Sequence, residues 1–351
     1  MPQRVASEDD VRNGTPALAV AVLMAIALGP EARADEVGKE AEKPRTPEEI
    51  RQAILDYADR LLDARTARQV ITRSFEAISD NPDPTAVEKL ASSFEAVFSQ
   101  LESVLTRLPG TEPARRGKVR AYLFGDVRQY MALDRAVRGS RAWETSGMYF
   151  PSLGVLSFHS DVFSSAVAKE VMIHECTHAY VDYRVRGGDH RLPDILEEGF
   201  AEYVGNSEVR YGSIRFGSYA KETRHNNPVA KRILDSSAAR ALKEVRATVR
   251  VRKDLLSFER MFAVKASDLG KDAVPEFYGA GWLLVDFLRH GDPAWKTKTF
   301  PTFMARVAAG DPAIPTMVEL YGQSADELER RFREYVKAFK LPVDREGSAA
   351  P

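Results

Sequence analysis

His174, Glu175 and His178 sit in the stretch VMIHECTHAYVDY, residues 171–183. On an α-helix, positions i and i+4 stand one above the other, so the two imidazoles share a face and can hold one cation between them. Glu175 follows His174 directly and is turned about 100° from it by the 3.6-residue period. It can flank a bound cation without taking a ligand position, which leaves it free to accept a proton from a water held there. Val167, Val171, Met172, Ile173 and Ala179 mark this helix as a core element. Two histidines and an acid on such a helix need partners, either hydrogen bonds within the core or a metal.

A hydrolytic zinc takes three protein ligands and keeps one position open. The stretch LPDILEEGFAEYVGN, residues 192–206, offers the third. Pro193 and Asp194 suit a helix start, and Ile195, Leu196, Phe200, Tyr203 and Val204 can anchor the helix in the core. Glu198 and Glu202 are spaced to share a face. We assign Glu198 as the third metal ligand and Glu202 as the acid that hydrogen-bonds the distal nitrogen of a ligating histidine. Glu197 reads as a solvated surface acid. Gly199 weakens a helix by about 1 kcal/mol relative to alanine, so its presence predicts a close approach, with the zinc helix as the expected neighbour.

HECTH followed by EEGFAEY resembles the gluzincin metallopeptidases, and more closely the peptidase-MA-like domain of bacterial exported proteins. The resemblance covers about residues 115–340. It implies a zinc metallopeptidase acting on peptide or protein substrates. In it, Glu198 is the third zinc ligand, with nineteen residues between it and His178, and Glu202 supports a ligand from one turn further on. EFYGAGWLLVDFL (276–288) is similar to the Tyr-x-x-Gly segment of membrane-alanyl-type aminopeptidases. That similarity implies that Tyr278 steadies the oxyanion and that Gly281 is the segment's glycine. YGQSADELERRFREYV (321–336) is similar to the closing helix of the MA-like domain. One feature departs from the pattern. Where the aminopeptidases carry Gly-x-Met-Glu-Asn, to bind a free amine, MYFPSLGVLSF (148–158) has Pro151 and Ser152. Aminopeptidase action is therefore not expected, although this strand is expected to line the cleft and pair with an extended peptide.

The fold these residues imply is α+β and mostly helical. It is a zincin-like domain with a small edge sheet and zinc-binding helices, preceded by a helical hairpin. Residues 46–112 form the hairpin in this reading. Thr46 with Glu49, and Thr85 with Glu88, give two helix-start signatures, and Leu90, Phe94, Val97, Phe98, Leu101, Val104, Leu105 and Leu108 mark one helix face. Residues 113–342 form the peptidase-like domain. It holds a strand at KVRAYLFG, a helix at DVRQYMALDRAV, and two strands around a turn at Pro151–Gly154. Ser164 or Ser165 stands near the start of the HECTH helix. Gly187 and Gly188 suggest a mobile loop before the next helix. His159, His190, His225 and His290 lack ligand spacing, and the single cysteine, Cys176, reads as a packing residue.

Residues 1–34 read as a secretory signal. An apolar run lies between Thr15 and Pro30, and Ala32 and Ala34 suit cleavage after Ala34. This predicts a periplasmic or extracellular protein with no stable membrane anchor. Residues 35–45 read as a flexible leader and 343–351 as a disordered tail. Lys and Arg total 50 against 51 Asp and Glu, so no nucleic-acid partner is expected, and nothing in the sequence signals an oligomeric state. Two rivals stand beside a peptidase: a non-catalytic envelope or binding module on the same fold, and a zinc hydrolase of a non-peptide substrate.

Overall fold

A computed structural model describes residues 46–63, 65–105, 112–113, 115–139, 145–160, 166–187, 190–210, 213–215, 245, 257–270 and 273–339. The expected signal, leader and tail, together with Ser164, Ser165, Gly188, Leu108 and His225, lie outside these residues.

Helix α1 (Pro47–Leu61) starts where the sequence predicts. The Thr46 hydroxyl accepts from the Glu49 amide while the Glu49 carboxylate accepts from the Thr46 amide, which satisfies two first-turn donors. The predicted helical hairpin over 46–112 needs correction. Between α1 and α2 (Ala86–Glu102) stand two strands, β1 (Arg68–Ile71) and β2 (Phe75–Ser79). Four and five residues are too few for alternation to declare itself against a helical background. Only β2 alternates, burying Phe75, Ala77 and Ser79. Nor does Thr85 cap α2. Its hydroxyl donates to Asp83 instead, so no box with Glu88 forms. The predicted face of α2 is buried at Leu90, Phe94, Val97, Phe98 and Leu101.

The strands join one mixed sheet with β3 (Val119–Phe124), β4 (Gly147–Phe150) and β5 (Val155–His159), in the order β1-β2-β3-β5-β4. Strands β2, β3 and β5 run parallel, and β1 and β4 are antiparallel edges. The strand pair around the Pro151–Gly154 turn is as the sequence predicts. So is α3 (Val127–Arg138), which Asp126 and Gln129 cap reciprocally. One sheet face buries Tyr122, Phe124 and Val155 under α1 and α3. The other buries Phe75, Ala121, Leu123, Leu156 and Phe158 in the main core. That core also holds α2 and the HECTH helix, α4 (Ala166–Tyr180), which ends in a single π turn at Val181–Val185. The segment read as a separate hairpin therefore supplies two strands and a covering helix to the sheet that packs against the HECTH helix.

Helix α5 (Asp194–Gly205) carries the EEGFAEY stretch. A short ribbon follows, β6 (Glu208–Arg210) with β7 (Ser213–Arg215), then α6 (Phe258–Ala263), α7 (Val274–His290), α8 (Thr299–Ala308), α9 (Ala313–Tyr321) and α10 (Ala325–Ala338). The described chain is α+β and mostly helical, with one mixed five-stranded sheet and a two-stranded ribbon. Among the described residues, no helix is long and apolar enough to cross a membrane.

The close approach at Gly199 is to α7 rather than to the HECTH helix. A Cβ on Gly199 would lie 2.3 Å from the Gly281 carbonyl carbon, and one on Gly281 would lie 2.5 Å from the Ile195 carbonyl oxygen. Facing glycines let the two backbones touch, a contact that helical periodicity cannot assign to a partner. Gly281→Ala should therefore lower the free energy of unfolding by about 3 kcal/mol through overpacking against a rigid backbone. Urea unfolding midpoints, compared with those of an exposed control such as Ser267→Ala, check this.

Candidate metal centre

Helix α4 sets His174 and His178 on one face, one turn apart. Their Nε2 atoms approach to 3.1 Å, with the ring planes at 72°. Helix α5 brings the Glu198 carboxylate to the same point, with Oε2 lying 3.4 Å from His174 Nε2 and 3.5 Å from His178 Nε2. Glu198 Oε2 is buried and makes no hydrogen bond of acceptable geometry. Ligands 2.0–2.1 Å from a tetrahedral centre stand about 3.3–3.4 Å apart. The three measured edges bracket that value. Two imidazole nitrogens and a carboxylate oxygen are also a donor set suited to a borderline divalent ion. His174, His178 and Glu198 thus form a group that could hold a metal ion.

The outer imidazole nitrogens face carboxylates as well. Glu202 Oε1 lies 3.4 Å from His174 Nδ1, and Asn206 Nδ2 donates to the Glu202 carboxylate at 2.9 Å. Glu197 Oε1 lies 3.5 Å from His178 Nδ1. Sequence reasoning reads Glu197 as a surface acid and misses this role. The available signal was the Glu197–Glu198 doublet. Consecutive helical residues diverge by about 100°, so one can enter between the imidazoles while its neighbour passes outside them.

The electrostatics follow from burial and crowding. Burial alone would raise Glu198, but the two histidines outweigh it and hold the carboxyl well below its usual range. Burial opposes charge on His174 and His178, yet Glu198 and the surrounding acids raise both. Glu175 lies beside the group and outside the ligand set. Burial raises its carboxyl, and its Oε2 accepts the Tyr149 amide of β4 at 2.7 Å. Tyr278, on α7, lies nearly parallel to the His174 ring with centroids 6.2 Å apart. Burial and the charges of Glu198 and Glu175 push its phenol above its ordinary value, so it is a neutral donor. Gly281, one turn along α7, meets Gly199, the residue after Glu198. The helix crossing thereby sets how near Tyr278 comes to the group.

The other described histidines, His159, His190 and His290, stay apart from this group. His159 is buried at the end of β5 against the Tyr130 ring, His190 is exposed, and His290 pairs with the Tyr203 hydroxyl at 3.0 Å. Cys176 is buried in the core, its thiol raised by burial. The Gly187 amide donates to the Ala308 carbonyl, which ties down the start of the segment expected to be a mobile loop. Pro151 and Ser152 are exposed in the turn after β4. No protein-family model matches this chain, and no curated protein matches it either.

Two predictions follow from this geometry. Glu197→Gln and Glu202→Gln should each weaken metal affinity by about 10- to 100-fold, because each removes the charged partner of a ligand histidine. Competition with a chelating dye measures this. Separately, burial and the charge of Glu202 raise the carboxyl of Glu170, one turn before His174, from 4.5 to about 7. The folded state then favours the protonated form. This contribution to stability is fully present below about pH 4.5 and is lost as pH rises through about 7. Glu170→Gln should match the wild type near pH 4.5 and exceed it by about 1–3 kcal/mol at pH 8, read as urea midpoints at equal metal loading.

Proposed function

We propose that this chain is a zinc-dependent metallopeptidase. The observation that supports it best is the convergence of His174 Nε2, His178 Nε2 and Glu198 Oε2 within 3.5 Å of one another, with Glu175 alongside and outside the set. Zinc held there would polarise the scissile carbonyl and acidify a water. The rest of the work falls to side chains of this chain. Glu175 has one oxygen taken by the Tyr149 amide and the other available to accept the water's proton. It then delivers that proton to the departing amine. Tyr278 donates a hydrogen bond to the oxyanion as charge builds on it. Glu197 and Glu202 orient the two imidazoles.

Glu175 favours an enzyme over a binding module. A site that only holds metal gains nothing from a buried carboxylate kept beside the ligands, since burying such a group is unfavourable. A peptide substrate, rather than another acyl compound, is supported by the resemblance of HECTH and EEGFAEY to gluzincins.

Purified protein should carry one zinc per chain and cleave casein or members of a peptide library. Glu175→Gln should keep the zinc and lose about 10²- to 10⁴-fold in kcat, as expected for a lost general base. His178→Ala and Glu198→Ala should lose zinc and activity together. Tyr278→Phe should lower kcat by about 10²- to 10³-fold with zinc retained, the range for one lost oxyanion donor. Zinc-loaded wild type that cleaves no peptide would overturn the peptidase reading, and protein without bound metal would overturn the centre itself.

A further inference from the structure

Strand β4 is an edge of the sheet, and its backbone groups alternate between facing β5 and facing outward. The Ser146 carbonyl accepts from the His159 amide, and the Phe150 carbonyl accepts from Gly154. Residues 146, 148 and 150 therefore face the sheet, whereas Tyr149 turns its amide away from it. An outward edge amide that is buried needs an acceptor. Tyr149 is 3% exposed, and the acceptor is Glu175 Oε2 at 2.7 Å.

The other end of the same residue is tied to the same helix. The Tyr149 hydroxyl donates to Asp182 Oδ2 at 2.7 Å. Asp182 is 1% exposed and lies in the π turn that continues α4, seven residues beyond Glu175. That spacing returns to the same helix face about 10 Å further along. Arg186 stands 2.6 Å from Asp182 Oδ1 and Arg115 3.5 Å from Oδ2, so the buried carboxylate has counter-charge on both sides. Arg115 also donates to the Pro151 carbonyl, which ties the turn after β4 into the cluster.

We propose that Tyr149 and Asp182 are positioning residues for Glu175, a staple by which one strand residue grips the zinc helix at two points and sets the direction of the base. The proposal rests on the reading of Glu175 as general base. The amide on Oε2 holds the carboxylate plane and leaves Oε1 as the oxygen that takes the proton. The phenol–Asp182 bond keeps that amide in place. Neither residue touches substrate.

The experiment uses full-length zinc-loaded protein labelled with 15N-tyrosine, which gives twelve tyrosine amides, with Tyr149→Phe assigning the Tyr149 signal by its absence. In wild type the Tyr149 amide should be protected from exchange. It should exchange at least about 10-fold faster in Glu175→Ala and in Asp182→Asn, since each opens the amide locally. Tyr149→Phe keeps every charge in the cluster. It should lower kcat about 10-fold with KM within about twofold and zinc still at one per chain, the signature of a misdirected base rather than a lost fold. Combining Tyr149→Phe with Asp182→Asn should be no worse than the weaker single variant. Protection that survives Glu175→Ala overturns the staple, as does full kcat in Tyr149→Phe. If Asp182→Asn does not fold, 15N-phenylalanine labelling of Tyr149→Phe reads the same amide. If wild type cleaves nothing, the peptidase reading fails, and amide exchange alone decides whether Tyr149 and Asp182 hold Glu175.

Discussion

Three lone-pair atoms, two nitrogens and one oxygen, are packed within 3.5 Å of one another at a largely buried point. Such a group is unfavourable unless positive charge lies among them, because desolvated acceptors repel one another and lack water to compensate. The rest of the molecule is arranged around this constraint. Two of the atoms are brought together by helix periodicity alone. The third comes from another helix, and its position depends on how that helix is held. The Gly199–Gly281 contact holds it by letting the α5 and α7 backbones touch where side chains would force them apart.

The sheet contributes at its edge. Strand β4 pairs on one side with β5, and its other side is left to the HECTH helix. The Tyr149 amide, with no described strand on that side, bonds Glu175. An exposed strand edge is usually a liability, yet here part of it is covered by a helix that needs a donor at that place. The same contact joins fold and chemistry, because it satisfies a buried backbone group and aims a carboxylate. Asp182 and its two arginines extend the arrangement toward the loop carrying Arg115.

What could be read in the sequence was whatever a single helix determines. His174 with His178, and Glu198 with Glu202, follow from the 3.6-residue period and needed no knowledge of neighbours. The strands β3, β4 and β5 were legible because apolar runs and a Pro–Gly turn bounded them. The strands β1 and β2 were not, since β1 does not alternate, the brief alternation of β2 is swamped by helical spacing on either side, and β2 joins the sheet through its pairing with β3. The partner of Gly199, the reach of Glu197 and the two-point grip of Tyr149 were illegible for a common reason. Each is a contact between elements, and a sequence announces that something is close without naming what.

Five glutamates surround the histidine pair, and their chemistry differs only by where the backbone sends them. Glu198 enters between the imidazoles, and the two ring charges hold it well below the carboxylate range despite burial. Glu197 precedes it by one residue and falls outside, behind His178; Glu202 follows by one turn and lies behind His174. Glu175 is rotated off the ligand face and caught by the Tyr149 amide. Glu170, on the ligand side one turn too early, has Glu202 for a neighbour, and burial with that charge lifts it to about 7. On the proposed reading, one residue type thus supplies ligand, orienter and base, and at Glu170 a carboxyl that keeps its proton to higher pH. Residue identity cannot sort these roles, because every one of them is a carboxylate. Position on two crossing helices does sort them, which is why the α5–α7 and α4–β4 contacts matter to the chemistry as much as the ligands themselves.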